Sequence, residues 1–352
     1  MHKILSITCV ATLLMLTACG GTKKSSTDNN TVSTQPVGPA FVADSAYAFC
    51  EQQCSFGPRT MNSEAHEQCG RWIAEKFRQY GMEVTLQEAT LHGYDGTALK
   101  STNIIASYHP ERQERIMLCA HWDSRPWADN DPDEANHHKP VMAANDGASG
   151  VAVMLEVARL LKNEEATVPD SSDAAVANAS HFAIQSSLGI DFVCFDAEDW
   201  GIPQWSEIED PGNTWALGAQ YWAEQFKLQN PKPNIRYGIL LDMVGGRGAR
   251  FFQEGISQRY AFDVVNRVWQ AADIVGFGSF FPKEDGNHIT DDHLPVNETA
   301  KIPCIDIIPY YPDCMESSFG PTWHTVKDDM EHIDRNTLQA VGQTLIQVLF
   351  SE

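Results

Sequence analysis

Five points along the 352-residue chain bring carboxylates or imidazoles to the end of an apolar run or the start of a helical one. Ile116–Ala120 runs into His121-Trp122-Asp123, and Phe192–Phe195 runs into Asp196-Ala197-Glu198-Asp199. Gly238–Leu241 is followed by Asp242, and Asn145-Asp146-Gly147 stands directly before a stretch of helical spacing. Pro303–Pro309 is followed, after a loop, by Trp323-His324-Thr325. Zinc accepts imidazole nitrogen and carboxylate oxygen, and a catalytic zinc keeps one position open. Asp146, Asp199 and His324 are candidate ligands on that chemistry. Each also has a plainer reading. Asp146 suits a helix N-cap, and a lone loop histidine such as His324 is more often hydrogen-bonded than ligating. The Glu198-Asp199 pair is more telling. Adjacent acids past an apolar strand repel each other and lose hydration unless something offsets them. At successive extended positions their side chains point opposite ways. One can hold a metal while the other stays free as a general base, its pKa set by burial and the nearby cation. The plainer reading of the pair alone is two solvated loop acids.

Something must position these groups. Helical spacing covers Ser45–Cys54 and Ser63–Tyr80, where Trp72, Ile73, Phe77 and Tyr80 recur and Gly81 is a stop signal. Residues 148–162 place Val151, Leu155, Ala158 and Leu161 on one face, and 214–228, 258–275 and 335–350 also read as helices. Strand patterns cover 83–90, 103–108, 115–120, 191–195, 237–242 and 303–308. This alternation predicts one α/β domain, a central, mostly parallel mixed sheet with helices on both faces. Ligands of such sheets bind at the carboxyl ends of the strands, which is where the acids fall. Residues 165–187, rich in Ala and Ser without a period, read as an insertion. The acidic loop 129–140, with His137 and His138, reads as a solvated loop.

Composition narrows the function. With 25 Lys+Arg against 47 Asp+Glu, the formal net charge is -22, so the chain lacks the basic clusters that bind polyanions and nucleic acid is not an expected partner. Lys3 and the apolar run Ile4–Leu16 look like a signal peptide over residues 1–18. Leu16-Thr17-Ala18-Cys19 looks like a bacterial lipobox, which makes Cys19 the lipidated first mature residue. Residues 19–40 then form a lipidated N-terminus and flexible tether, and 41–352 form the catalytic domain. Gly20 is not the Asp associated with inner-membrane retention, so the expectation is a periplasmic domain anchored to the outer membrane. Nine Cys are too few for a disulfide scaffold. Cys50 and Cys54 lie four apart on a helix, where a mutual bridge is strained, so pairing with Cys69 or a more distant Cys is expected.

Taken in order, Ala120-His121-Trp122-Asp123-Ser124, Asn145-Asp146-Gly147-Ala148-Ser149-Gly150, Asp196–Asp199, Leu241-Asp242 and His324-Thr325 resemble the M28-type zinc aminopeptidase fold. Within it the chain resembles the glutaminyl-peptide cyclotransferases of the animal and bacteroidete kind. The discriminating segments are Asp291-Asp292-His293-Leu294-Pro295, Ile307-Ile308-Pro309, and Trp323-His324-Thr325 followed by Asp328-Asp329. The resemblance runs from about residue 45 to the C-terminus. It implies conversion of an N-terminal Gln to pyroglutamate with release of ammonia. It implies one zinc per chain on Asp146, Asp199 and His324, with Glu198 as general acid/base and Asp242 and Asp291 hydrogen-bonding around it. It implies an aromatic wall at Trp323 and a second substrate contact at Trp205 or Trp200; most other Trp are expected to be packing. The implied partners are peptides or proteins with N-terminal Gln, with a monomer expected and membrane contact only through the lipid. The sequence departs from the animal pattern at Asp199 (usually Glu), at Asp306 (a His there) and at Cys119, whose disulfide partner is replaced at about Val151. Two rival readings remain. One is a two-zinc aminopeptidase using His121 and Asp242 for a second metal bridged by Asp146, with Glu198 activating water. The other is an inactive surface lipoprotein kept as a binding module, although no ligand or base is missing.

Overall fold

A computed structural model describes residues 35–167 and 188–352. The signal segment, Cys19, most of the tether and most of the 165–187 insertion lie outside the described residues. The elements run α1 (Ala43–Cys54), α2 (Glu64–Gln79), β1 (Glu83–His92), β2 (Ala98–Tyr108), β3 (Glu114–His121), α3 (Ala148–Thr167), β4 (Leu188–Phe195), α4 (Leu217–Leu228), β5 (Asn234–Leu241), α5 (Gly255–Ile274), the single turn α6 (His293–Pro295), β6 (Cys304–Ile307) and α7 (Arg335–Phe350). The helices and strands expected from periodicity are all present. The turn at α6 and the π-helical turn Val296–Ala300 behind it are too short to leave a periodic signal.

Strand order is β1-β2-β4-β3-β5-β6. The β1–β2 and β2–β4 pairs are antiparallel, while β3 pairs in parallel with β4 and β5, and β5 with β6. β4 is buried along its whole length and β3 everywhere but Glu114, as strands covered on both faces must be. Alternation along β3 separates two cores. Ile116, Leu118 and Ala120 face the larger one, built on α1, α2, α3, α5 and α7. Met117 and Cys119 face the other, with Trp222 and Phe226 of α4. Parallel register brings His121 level with Phe195, and Leu241 level with Ile307, so the acid-bearing strand ends share one edge.

Two glycines let α3 start against that edge. A Cβ at Gly147 would collide with the His121 carbonyl oxygen, and one at Gly150 with that of Leu241. The expected disulfides are not formed. Cys50, Cys54, Cys69, Cys119, Cys194, Cys304 and Cys314 are all free thiols. The first six are buried and packed as small apolar groups, and Cys50 Sγ donates to the Ala144 carbonyl at 2.9 Å. Helix α7 straps the N-terminal arm. Gln347, Gln343 and Gln339, spaced one turn apart, accept the backbone N–H groups of Val37, Phe41 and Ala43. Among the described residues no helix is long and apolar enough to cross a membrane.

Candidate metal centre

The loop before α3, the turn after β4 and the segment after β6 converge at the carboxyl edge. They bring Asp146, Asp199 and His324 together, all buried, with one ligand atom from each lying within 4.8 Å of the others. His324 Nε2 lies 3.2 Å from Asp199 Oδ1 and 3.7 Å from Asp146 Oδ2. Tetrahedral zinc ligands at about 2.0–2.1 Å from the ion sit roughly 3.3 Å apart, so the spacing suits a zinc. The hydrogen-bond count agrees. Asp199 Oδ2 is buried without a partner, a costly state for a carboxylate unless a cation faces it. Burial pushes the Asp199 carboxyl above its usual range, His324 opposing and Asp146 adding to the rise.

The backbone is fixed around these ligands. Asp328 accepts the N–H groups of Asn145 and Asp146 at 2.8 and 3.0 Å. Asp123 accepts those of Glu198 and Asp199 at 3.1 and 3.2 Å. Ala197, Met243 and His324 all have left-handed backbone at φ 54, 50 and 54, a conformation that non-glycine residues hold only where surroundings enforce it. Asp196, the first acid of its run, is spent on structure: it pairs with His66 at 2.8 Å and accepts the Thr102 N–H.

His121 Nε2 sits 2.9 Å from Asp146 Oδ1 and 3.3 Å from Asp242 Oδ1, with Nδ1 3.5 Å from Asp123. Burial opposes charge on this ring, but the Asp123, Asp146 and Asp242 carboxylates win and hold its pKa well above the usual value. Glu198, next in chain to Asp199, lines a cavity of about 330 Å³. Burial pushes its carboxyl well above the usual carboxylate range, with His121 opposing and Asp291 and Asp199 adding to the rise. Asp242 is pushed by burial up to about 7, although His121 opposes the rise. Asp291 lines the same cavity and is likewise raised by burial. Asp306 lies behind these acids, fully buried, with neither oxygen hydrogen-bonded. Burial, then Asp291 and Asp242, push it well above its usual value.

The cavity brings Asp146, Glu198, Asp242, Asp291, Trp323 and His324 together, as the sequence led us to expect. It does not include the expected Trp200 and Trp205. Trp200 packs against the small cluster of Met61, Leu99 and Ala197 and meets Trp127 edge-on. Trp205 is 41% exposed and packs on Trp127, His137 and His138. The second aromatic wall is Trp215, whose ring lies 6.0 Å from the His324 ring at 11°, while Trp323 stacks on His324 at 3.7 Å. Trp215 escapes sequence reasoning because the helical pattern reads from residue 214, which puts Trp215 on a helix; α4 starts only at Leu217 and leaves it in the loop before. Asp328, which acts through backbone N–H groups, and Asp123, which adds to such contacts an approach to His121 Nδ1, leave no chemical signature beyond their place in the motifs. His121, Asp146 and Asp242 also converge within 4.8 Å.

Comparison with known proteins gives consistent results. A model described as peptidase family M28 matches residues 103–349. The crystal structure of Bacteroides thetaiotaomicron glutaminyl cyclase is 49% identical, with a TM-score of 0.80 over 89% of this chain and 99% of that one. That of Tannerella forsythia glutaminyl cyclase is 46% identical, with a TM-score of 0.80 over 89% and 100%. Aminopeptidase YwaD of Bacillus subtilis is 28% identical over 78% of this chain. This chain spans 50% of that protein's length.

Proposed function

Because the chain belongs to peptidase family M28, we propose that it is a glutaminyl-peptide cyclotransferase, closing the N-terminal Gln of peptides or proteins to pyroglutamate and releasing ammonia. The observation that carries this reading is the cavity itself: a small pocket walled by Trp215 and Trp323, with Glu198 facing in and a three-residue metal site at its base. Likeness to glutaminyl cyclases at 49% and 46% identity supports it.

The substrate's nucleophile is already tethered to its electrophile, so orientation lowers much of the barrier. Asp146, Asp199 and His324 would hold one zinc, which supplies a Lewis acid for the γ-carbonyl oxygen. Glu198 accepts a proton from the α-amine as its nitrogen bonds to the carbonyl carbon of the γ-carboxamide. The same proton passes to the departing amide nitrogen as the C–N bond breaks, giving ammonia. Asp242 and Asp291, both facing the pocket, share and stabilise that proton. The indoles of Trp215 and Trp323 fit the flat amide and exclude water, which keeps hydrolysis from competing.

Convergence of His121, Asp146 and Asp242 and the 28% identity to an aminopeptidase favour a second reading, a two-metal aminopeptidase. Against it, His121 Nε2 stands at hydrogen-bond distance from Asp146 Oδ1, so that pair is satisfied without a second ion. One assay separates the readings. A Gln-initiated dipeptide is incubated with and without chelator, and ammonia, free amino acid and zinc per chain are measured. Ammonia release with one zinc, lost with chelator and reduced by about 10³-fold or more in Glu198→Gln, is expected. Free amino acid with two zinc per chain would sink the proposal.

Localisation belongs to the same proposal. Cys19 carries the lipid, and the chain beyond it tethers the domain to the periplasmic side of the outer membrane. All site residues come from one chain, so a monomer suffices. Cys19→Ala should move the protein from the membrane to the soluble periplasmic fraction; unchanged fractionation would refute the anchor.

A further inference from the structure

The loop after β3 does more than border the pocket. Three consecutive residues of it grip the segment that carries His324. Asn130 N–H donates to the His324 carbonyl at 3.0 Å, and Asn130 Nδ2 to the Trp323 carbonyl at 3.2 Å. Asp131 Oδ2 accepts the Val326 N–H at 3.1 Å. Asp129 faces the imidazole itself, its Oδ1 3.4 Å from Nδ1, the ring nitrogen turned away from Asp146 and Asp199. That nitrogen is buried and makes no hydrogen bond, so the Asp129 carboxylate is the charged group standing against it. Asp129 is in turn locked by a buried guanidinium: Arg125 Nε and Nη2 donate to its two oxygens at 2.9 and 2.6 Å. Arg125 Nη1 also donates to the Asp199 and Gly201 carbonyls, and the guanidinium lies 4.6 Å from the Trp215 ring centre. Arg125 and Asp129 thus connect two of the three ligands to one wall of the pocket.

We propose that Asp129 is a positioning residue, whose carboxylate, clamped by Arg125, orients the His324 imidazole so that Nε2 faces Asp146 and Asp199. The physical ground is general. A ligating imidazole needs its second nitrogen held as a donor to fix tautomer and ring plane, and loss of that partner lowers metal affinity. Here the need is greater, because His324 is held at φ 54, where nothing in its own backbone preference keeps the ring in place. Rigid, bidentate pairing with Arg125 removes the freedom that would make Asp129 a loose partner.

The inference rests on the reading of Asp146, Asp199 and His324 as the zinc site, and its test is independent of turnover. Zinc is titrated into the metal-free chain against a chromophoric chelator, with circular dichroism confirming the fold. Cobalt(II) loaded in place of zinc reports ligand geometry by its visible spectrum. Asp129→Asn should weaken zinc binding by about ten- to hundredfold and alter the cobalt spectrum. Asp129→Glu, which keeps the charge but moves the carboxylate by a methylene, should show a smaller loss. Asp191→Asn is the matched control. Asp191 is buried and held by Arg115 in the same two-bonded way, at 2.6 and 2.7 Å, but within β4, four residues before Phe195 ends the strand. It should lower thermal stability and leave zinc affinity within twofold. Zinc affinity unchanged in both Asp129 variants overturns the inference, as does an equal loss in Asp191→Asn. Failure of the cyclase reading shows differently, as absence of ammonia release by the unmodified, zinc-loaded chain.

Discussion

At the scale of single residues, adjacency in sequence hides a division of labour. Glu198 and Asp199 share a backbone anchor in Asp123, yet one faces the pocket and the other faces His324. On sequence alone the pair reads as successive extended positions pointing opposite ways, whereas the structure ends β4 at Phe195 and turns the chain at Ala197, at φ 54, before the two acids. Aromatic contacts carried no such rule. Trp215, Trp200 and Trp205 lie within one loop, and only packing selects Trp215 for the pocket. Substitution should separate them. Trp215→Ala removes a wall of the pocket and the ring under Arg125, so kcat/KM for Gln peptides should fall by tenfold or more, about 1.4 kcal/mol or above. Trp205→Ala removes a half-exposed ring on the imidazoles of His137 and His138 and should leave kcat/KM within twofold. Equal losses in the two variants would show that the pocket extends to the exposed cluster.

Among the elements, α5 shows how a helix start can build part of a site. Glu254 is its N-cap, accepting the N–H groups of Ile256 and Ser257 at 2.7 and 2.6 Å. Its carboxylate also accepts the Ile289 N–H at 2.9 Å and approaches His293 Nε2 at 3.2 Å, fixing the loop that delivers Asp291. Ser257 Oγ then accepts the N–H of Asp306 on β6 at 2.9 Å. The helix itself was legible from its period. Its cap was not, because Glu is not a favoured N-cap residue and its partners are 35 and 39 positions away. Burial would raise the Glu254 carboxyl, but the His293 contact and the backbone N–H groups win and hold it at about 2, against an ordinary 4.5. A depressed carboxyl adds stability that is full above 4.5 and is lost as pH falls toward 2. The difference between 4.5 and about 2 corresponds to about 3 kcal/mol. Glu254→Gln should therefore destabilise the domain at pH 7 by about that amount and flatten its loss of stability between pH 4.5 and 2. Chemical denaturation across that range checks it. A variant whose pH dependence matches the parent chain would place the acid sensitivity elsewhere.

Across the whole molecule, the net charge of -22 has two origins. Much of it is solvated surface, but Asp146, Glu198, Asp199, Asp242, Asp291, Asp292 and Asp306 are buried at one edge of the sheet. Their convergence could be anticipated because parallel strands end at one edge, and each strand end was visible as an apolar run meeting an acid. Cysteine pairing could not be anticipated, since an apolar packing role and a disulfide role use the same residue. Nor could the braces Asp123, Asp129 and Asp328, which hold the site from behind. A buried acidic edge of this kind makes the fold depend on its cation. Metal binds the native site and not the unfolded chain, so at a free concentration 100 times its Kd it adds about 2.7 kcal/mol. For a domain of this size that is roughly 5 °C in Tm. Chelation at pH 7.5 should lower Tm by about that much, and zinc should restore it. Ligation requires both carboxylates ionised and the His324 nitrogen unprotonated, so protons compete with the ion. The gap between zinc-loaded and chelated Tm should narrow as pH falls from 7.5 to 5, and His324→Ala should abolish it at every pH. A gap that stays constant through that range, or that survives in His324→Ala, would mean that the ion stabilising the fold is held somewhere other than Asp146, Asp199 and His324.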